Sequence, residues 1–578
     1  MTIDRFQKYL DAKSPFGQEQ LTWPLYGAGL ENLGINGKPV KGQIPSYSDD
    51  ELLMRIDAVS LCYTDLKEID SGDTHPRLIG RNLKENPIIP GHEISFTVVA
   101  VGKNLQSEYK IGNRFTMQPD IWVDGKSIPF CFGMDGGYRQ YAKIGKEVLK
   151  GDAGNYLISV PDDMPYASSA ITEPWACVEA AYRMPYRNTL KKGGRLLILG
   201  GEKARNGYKF RGEWITQNLP AEIIVCKIPD DLKKKFVSIC DFSKSKLSEM
   251  DSDSLFRSEQ KFDDIFILDG SASEINEACG LMANSSILAI VGKEPVEGPV
   301  NIDMGRLHYD ATYFVGTSSL DLETAYRQTE PRVSLKPNGK TWILGAGGPM
   351  GRLHLQRAIE SKDGPSLIVA SEVTESRYDA LLEFFVPFAK KYQKELIIVN
   401  SVKEPAEYHK VMGKIKAEGG FDDIQIMVTI PAVITDSTRY AGQGAVIDLF
   451  AGLKRGVTAD VDAELISGPL QIRFVGHSGS GLDDQKAVVN RVISGQLKPE
   501  LSVAAVGGIN QIADGIKAMK NWVFPGKIVI YPHVLDFPLT AIGDLEKQIP
   551  EIETYLGEGK TWSLEAERVF LDRELSDE

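Results

Sequence analysis

The sequence predicts an α/β chain in which a β-rich, barrel-like domain precedes two doubly wound domains in tandem. Three observations carry this. Over about 30–165, apolar runs with β-branched residues are separated by Gly and Pro. Over about 185–320, short buried-type strands alternate with helical stretches. The same alternation then begins again over about 335–485. A chain of 578 residues is also too long for one core.

In order, residues 1–50 read as loop-rich. LLMRIDAVSLC ends a strand at Cys62, and IIPGHEISFTVVAVG is a Pro-Gly turn entering a long strand. NRFTMQPDIWV and GYRQYAKI supply two more strands. Ser168–Tyr182 has helical spacing. The first doubly wound domain reads from Arg195–Leu199 through AEIIVC, DDIFIL, SSILAIV and ATYFVG. The second reads from TWILG through SLIVAS, LIIVN, IQIMVTI, AVIDLF and IRFVG. We read two Rossmann-like domains rather than one very large sheet, with TEPRVSLKPNGK as a linker. The predicted boundaries are 1–180, 181–330, 331–485 and 486–578. The last segment comprises a return to the first domain and an acidic tail placed on the surface or against a neighbouring subunit.

Composition is globular, 42% hydrophobic and 25% charged. A net charge of −13 excludes nucleic acid or an anionic membrane as a main partner, since both need a basic face. The six cysteines form no CxxC pair, so neither a disulfide framework nor a four-cysteine zinc knuckle is expected. There is no apolar leader-like stretch and no run of about 18 apolar residues, so a cytoplasmic location is expected.

Two constellations carry chemistry. Thr341–Arg352, TWILGAGGPMGR, reads as strand, glycine turn and helix start. Its glycines let backbone N–H groups approach a pyrophosphate, and the helix N-terminus adds partial positive charge. Glu372 ends the next strand, 27 residues after Gly345, where a carboxylate accepts ribose hydroxyls and repels a 2′-phosphate. Gly345, Gly347, Gly348, Pro349, Met350, Gly351, Glu372 and Arg377 are therefore the candidate NAD contacts, with NADP less favoured.

The second constellation is SLCYTD (Ser60–Asp65), PGHE (Pro90–Glu93) and TEP (Thr172–Pro174). Cys62, His92 and Glu173 offer a thiolate, an imidazole and a carboxylate for a catalytic zinc with one open position. Glu93 is a possible fourth ligand or holds a bound water. Asp65 is placed to accept from the His92 ring, and Thr64 to pass a proton from a substrate hydroxyl. Taken singly, each residue has a structural alternative, a buried thiol, a satisfied imidazole or a solvated carboxylate. Tyr63, Trp122, Phe130 and Arg139 are candidate cleft residues with packing as the alternative.

The order Cys-x-Thr-Asp, Gly-His-Glu, Gly-Gly-Tyr, Glu-Pro and then a glycine loop resembles the zinc-dependent medium-chain alcohol and polyol dehydrogenases. EPWACVEAAY and GAGGPMGR look closest to the L-sorbose-1-phosphate reductase group. The resemblance implies a GroES-like catalytic domain, a Rossmann domain, and hydride transfer between NAD(H) and a polyol, ketose or sugar-phosphate alcohol carbon. It also implies a homodimer or homotetramer.

The chain departs from that family in two places. Pro119–Gly136 holds only Cys131, so one catalytic zinc and no structural zinc is expected. The well-formed loop lies 172 residues after Glu173, whereas GGEKARNGYKF, at the family's position, lacks the later glycines and is followed by Lys227 instead of an acid. That first domain has either lost its cofactor and serves packing or assembly, or uses Lys203, Arg205, Lys209 and Arg211 to bind a phosphate. The alternatives for the whole protein are a zinc-free reductase of the quinone oxidoreductase type and a retired NAD-binding scaffold or sensor.

Overall fold

The computed structural model describes residues 5–11, 15, 17–78, 80–183, 187–327 and 334–575. It divides into two compact units, Met1–Glu179 with Ser480–Glu578, and Ala180–Gly479.

The first unit is built on an eight-stranded sheet. Leu52–Ser60 lies at its centre and is buried along its whole length, because layers cover both faces. It pairs antiparallel with Glu93–Val101, and this register sets Ser60 opposite Glu93. On its other side runs Lys527–Tyr531, with Val529 opposite Ser60. The C-terminal segment thus completes the sheet that Leu52–Ser60 begins. Arg55 and Asp57 form a buried ion pair at 2.7 Å, and the Tyr9 hydroxyl donates to Asp57 at 2.8 Å.

The acidic tail is not a surface appendage. Helix Leu564–Glu574 packs Phe570 and Leu571 into the core with Trp562 and Tyr531. Its Glu567 is buried and accepts from the Tyr166 and Ala167 N–H groups and the Tyr531 hydroxyl. Acidic composition pointed outward, but one apolar stripe and one carboxylate aimed at a helix N-terminus draw the segment inward.

The second unit corrects the expectation of two separate sheets. Its strands form one 12-stranded sheet. Numbering each half's strands in chain order, each half runs 3-2-1-4-5-6, the doubly wound order. The two sixth strands, Tyr313–Thr317 and Arg473–Gly476, pair antiparallel at Phe314 and Phe474 and fuse the halves. An unpaired sixth strand would expose a row of backbone N–H and C=O groups; each half closes the other's edge instead. The predicted boundary at 330/331 and the start of the linker fall on 328–333, outside the described residues.

Candidate functional site

In the first unit, Cys62 follows the central strand and caps helix Tyr63–Ser71. Its thiol accepts the Thr64 N–H at 3.5 Å, and its own N–H donates to Asp65 Oδ2 at 3.0 Å. His92 precedes the neighbouring strand, whose first residue is Glu93. Because Ser60 pairs with Glu93, the turn after one strand meets the turn before the other. Ligand atoms of Cys62, His92 and Glu93 consequently lie within 4.8 Å of one another.

Asp65 is fully buried and orders this trio. Its Oδ1 meets His92 Nδ1 at 2.8 Å, which leaves Nε2 as the free ligand atom of that ring, and its Oδ2 accepts the Tyr138 hydroxyl at 2.7 Å. Glu93 is fully buried; Lys527 Nζ donates to its Oε1 at 2.7 Å, while Oε2 has no partner among the described residues. Burial disfavours a charged His92, yet Asp65 and Cys62 outweigh it and hold the imidazole pKa well above its ordinary value. The surroundings therefore favour positive charge at this point. An orphaned carboxylate oxygen, a thiol and an ordered imidazole fit a divalent zinc.

Glu173 lies on helix Thr172–Ala181 of the same unit and outside the tight trio. Burial and the nearby Glu93 push its carboxyl up to about 7, against the opposing effects of His92 and Lys527. The Cys177 thiol donates to its Oε1 at 3.6 Å. Thr64 is half-buried beside Cys62.

Several neighbours were not singled out from sequence. Lys527 heads the strand paired with Leu52–Ser60 and also donates to the Leu61 carbonyl at 3.0 Å. Cys131, buried, approaches His92 Nδ1 at 3.8 Å and forms a second close trio with Asp65 and His92. Glu68 is buried nearby, its carboxyl driven well up by burial and by Asp65. A lysine opening an apolar strand was the one signal available for Lys527. Among the cleft candidates, Tyr63 and Trp122 are exposed, whereas Phe130 packs in the core against Phe96 and Arg139 is buried.

In the second unit, strand Lys340–Leu344 leads through Gly345, Gly347 and Gly348 into helix Pro349–Glu360. Gly345 has φ 84°, a conformation that favours glycine. A Cβ on Gly351 would stand 2.4 Å from the Gly345 carbonyl, so the helix can seat this closely only with glycine there. Pro349 opens the helix and Met350 follows it. Glu372 is buried, and its carboxylate turns into the loop: Oε2 accepts the Gly347 N–H at 3.1 Å, and Oε1 accepts those of Val373 and Thr374 at 2.9 Å. The acid assigned to a ribose thus also braces the glycine turn. Arg377, half-buried, stands beside it, its Cβ 2.7 Å from where a Gly347 side chain would begin.

At the matching place in the first half, strand Arg195–Gly200 is followed by a loop, and the next helix starts only at Gly212. Tyr208 is buried in that loop, with its hydroxyl donating to Asp269. Lys203 and Lys209 are exposed, Arg205 pairs with Glu294, and Arg211 pairs with Glu323 at 2.9 Å. Two of the four cations are thus engaged by carboxylates.

Residues 48–151 match the model of the alcohol dehydrogenase GroES-like domain. The chain is 27% identical over 303 residues to mannitol-1-phosphate 5-dehydrogenase of Aliivibrio fischeri, covering 48% of this chain and 70% of that protein. It is 26% identical over 311 residues to L-sorbose 1-phosphate reductase of Klebsiella pneumoniae, covering 48% and 71%. It is 21% identical over 514 residues to the uncharacterized protein YggP of Escherichia coli, covering 88% and 86%.

Proposed function

We propose that the chain is a zinc-type medium-chain dehydrogenase, an oxidoreductase of CH–OH groups that transfers hydride between NAD(H) and an alcohol carbon of a polyol or sugar phosphate. The observation that carries this reading is the convergence of Cys62, His92 and Glu93 around an unpartnered carboxylate oxygen, with Asp65 fixing the imidazole. Cys62, His92, Glu93 and Glu173 would hold one zinc, which when bound supplies Lewis acidity toward the substrate oxygen.

The chain's own residues supply the rest. Asp65 keeps the proton of His92 on Nδ1. Lys527 holds Glu93 by one oxygen and leaves the other available. Thr64, one residue beyond the exposed Tyr63, would take the proton released from the substrate hydroxyl and hand it toward solvent. The glycine turn from Gly345 to Gly351, with Glu372 and Arg377, would seat the dinucleotide, whose nicotinamide carries the redox chemistry. Glu372 at the ribose end favours NAD over NADP. A small hydroxylated molecule is the partner, and the phosphorylated substrates in the names of two relatives make sugar phosphates the first class to test.

The test is an NADH-absorbance screen over sugar alcohols, ketoses and their phosphates, run beside elemental analysis. Turnover with one zinc per chain, and loss of both in Cys62→Ser and His92→Ala, is expected. Full turnover in metal-free protein would overturn the zinc assignment, and NADH binding without turnover on any substrate would favour a sensor.

A further inference from the structure

The two halves of the second unit repeat one another below the level of topology. FDDIFIL (Phe262–Leu268) and FDDIQI (Phe421–Ile426) are their fourth strands. Lys191 donates its N–H to Asp264 Oδ2 at 2.9 Å, and Lys336 donates likewise to Asp423 Oδ2 at 2.9 Å. The ammonium of Lys191 meets Asp263 Oδ1 at 2.6 Å, and that of Lys336 meets Asp422 Oδ1 at 2.5 Å. The Arg195 N–H donates to Asp263 Oδ2 at 2.8 Å, and the Lys340 N–H to Asp422 Oδ2 at 2.9 Å. Between them, Gly193 and Asn338 both take positive φ, 71° and 55°. Three hydrogen bonds and a turn conformation recur at one spacing.

The halves meet as two copies related by a two-fold axis would meet. The same strand from each, the sixth, pairs antiparallel with its counterpart. A second antiparallel pair, an arm outside the large sheet, joins Pro299–Asp303 to Thr458–Asp462, again one segment from each half. One apolar core runs through the junction, including Val300, Phe314, Val461 and Phe474. Self-complementary edge pairing of this kind is the geometry of a symmetric dimer interface, here formed within one chain.

The copies differ at their loops. Lys227 stands where the second half has Glu372, directly after the second strand. In the first half a Cβ on Gly201 would stand 2.5 Å from the Asp269 carbonyl, and the buried Tyr208 donates its hydroxyl to the Asp269 carboxylate. The helix that should start at the turn is missing. In contrast, Tyr182, near the start of this unit, is tied to the second half: its hydroxyl pairs with His354 Nδ1 at 2.6 Å, and Arg357 lies 4.0 Å over its ring, both on the helix after Gly348.

We propose that the first half is a resident partner domain: it occupies the sheet edge and arm that a second copy of this chain would otherwise cover, and it binds no dinucleotide. The chain is then a one-site pseudo-dimer, with the second half as its nucleotide-binding member. The statement about sites rests on the NAD reading above; the statement about the edge does not.

Asn301 and Asp460 face one another at the surface of the arm, with Asn301 Nδ2 donating to Asp460 Oδ1 at 2.5 Å. In an Asn301→Cys/Asp460→Cys variant, a short bis-maleimide should link the two cysteines within one chain, as read by peptide mapping. An equal mixture of the single variants should give no linked dimer. A link between two chains, or none in the double variant, overturns the resident-partner assignment. Equilibrium dialysis of the unaltered protein with NADH should give one molecule per chain, abolished by Gly351→Val. Two per chain would overturn the one-site claim. None would refute the NAD reading and leave the cross-link to decide the edge.

Discussion

Lys527→Met isolates the contact on which the candidate metal site leans most heavily. Lys527 and Glu93 have side chains 5% and 0% exposed, and their Nζ–Oε1 separation is 2.7 Å. Burial opposes the lysine's charge, but Glu93 and Cys62 raise its pKa above the usual lysine range. Removing the ammonium strands a carboxylate whose other oxygen already has no partner among the described residues. Breaking one side of a buried pair costs about 3–5 kcal/mol. Replacing both members costs much less, because no charge is left behind; Glu93→Gln/Lys527→Met should therefore recover about 2 kcal/mol or more of the single variant's loss. The assay is urea unfolding of metal-free protein, with hydrogen exchange at Lys527–Tyr531 assigning the change to this unit. Zinc should narrow the deficit of Lys527→Met, since a dication replaces the missing charge. A single variant within about 1 kcal/mol of the parent, or a double variant no better than the single, would refute the reasoning.

Other expectations follow from the same structure. Glu567→Ala removes the acceptor of two N–H groups and one hydroxyl, and at about 1–3 kcal/mol for each buried donor left unpaired it should cost about 3 kcal/mol or more, seen as a lower urea midpoint and faster proteolysis of the C-terminal helix. His533 is pushed down to about 3 by burial and by Arg55. A depressed histidine contributes stability above its unfolded pKa, near 6.5, that is lost as pH falls toward 3; His533→Gln should flatten the acid limb by roughly 1.4 kcal/mol per pH unit in denaturation series run between those values. Gly351→Ala forces a Cβ to 2.4 Å from a backbone carbonyl and should cost about 1–3 kcal/mol together with NADH affinity, whereas Gly413→Ala, in an open helical position, should be neutral or stabilising by up to about 1 kcal/mol in the same titration and melt.

What the sequence made legible was whatever is local to a strand end. Cys62 and His92 could be paired on paper because each sits at a turn bounding a strong strand, and an antiparallel register needs only to place Ser60 against Glu93 to bring the turns together. The glycine turn was legible for the same reason: its demands fall within one strand and the start of one helix. Lys527 was not legible. It reaches Glu93 only because Val529 pairs with Ser60 across a separation that no local pattern encodes. Glu372 was legible as an acid at the right distance, but its commitment to the Gly347 N–H depends on a side-chain rotamer. The fused sheet was hidden for a deeper reason. A sixth strand shows the same apolar pattern whether its edge meets solvent, another molecule or a later part of its own chain, so two repeats in tandem are compatible with two sheets or one. What decides between them is the edge itself. Phe314 and Phe474 are each almost wholly buried, and hydrophobic side chains at an open edge would be a site for self-association. Once the chain holds two such edges of matching shape, closing one with the other needs no second molecule, and the half that closes the edge is released from having to bind anything else.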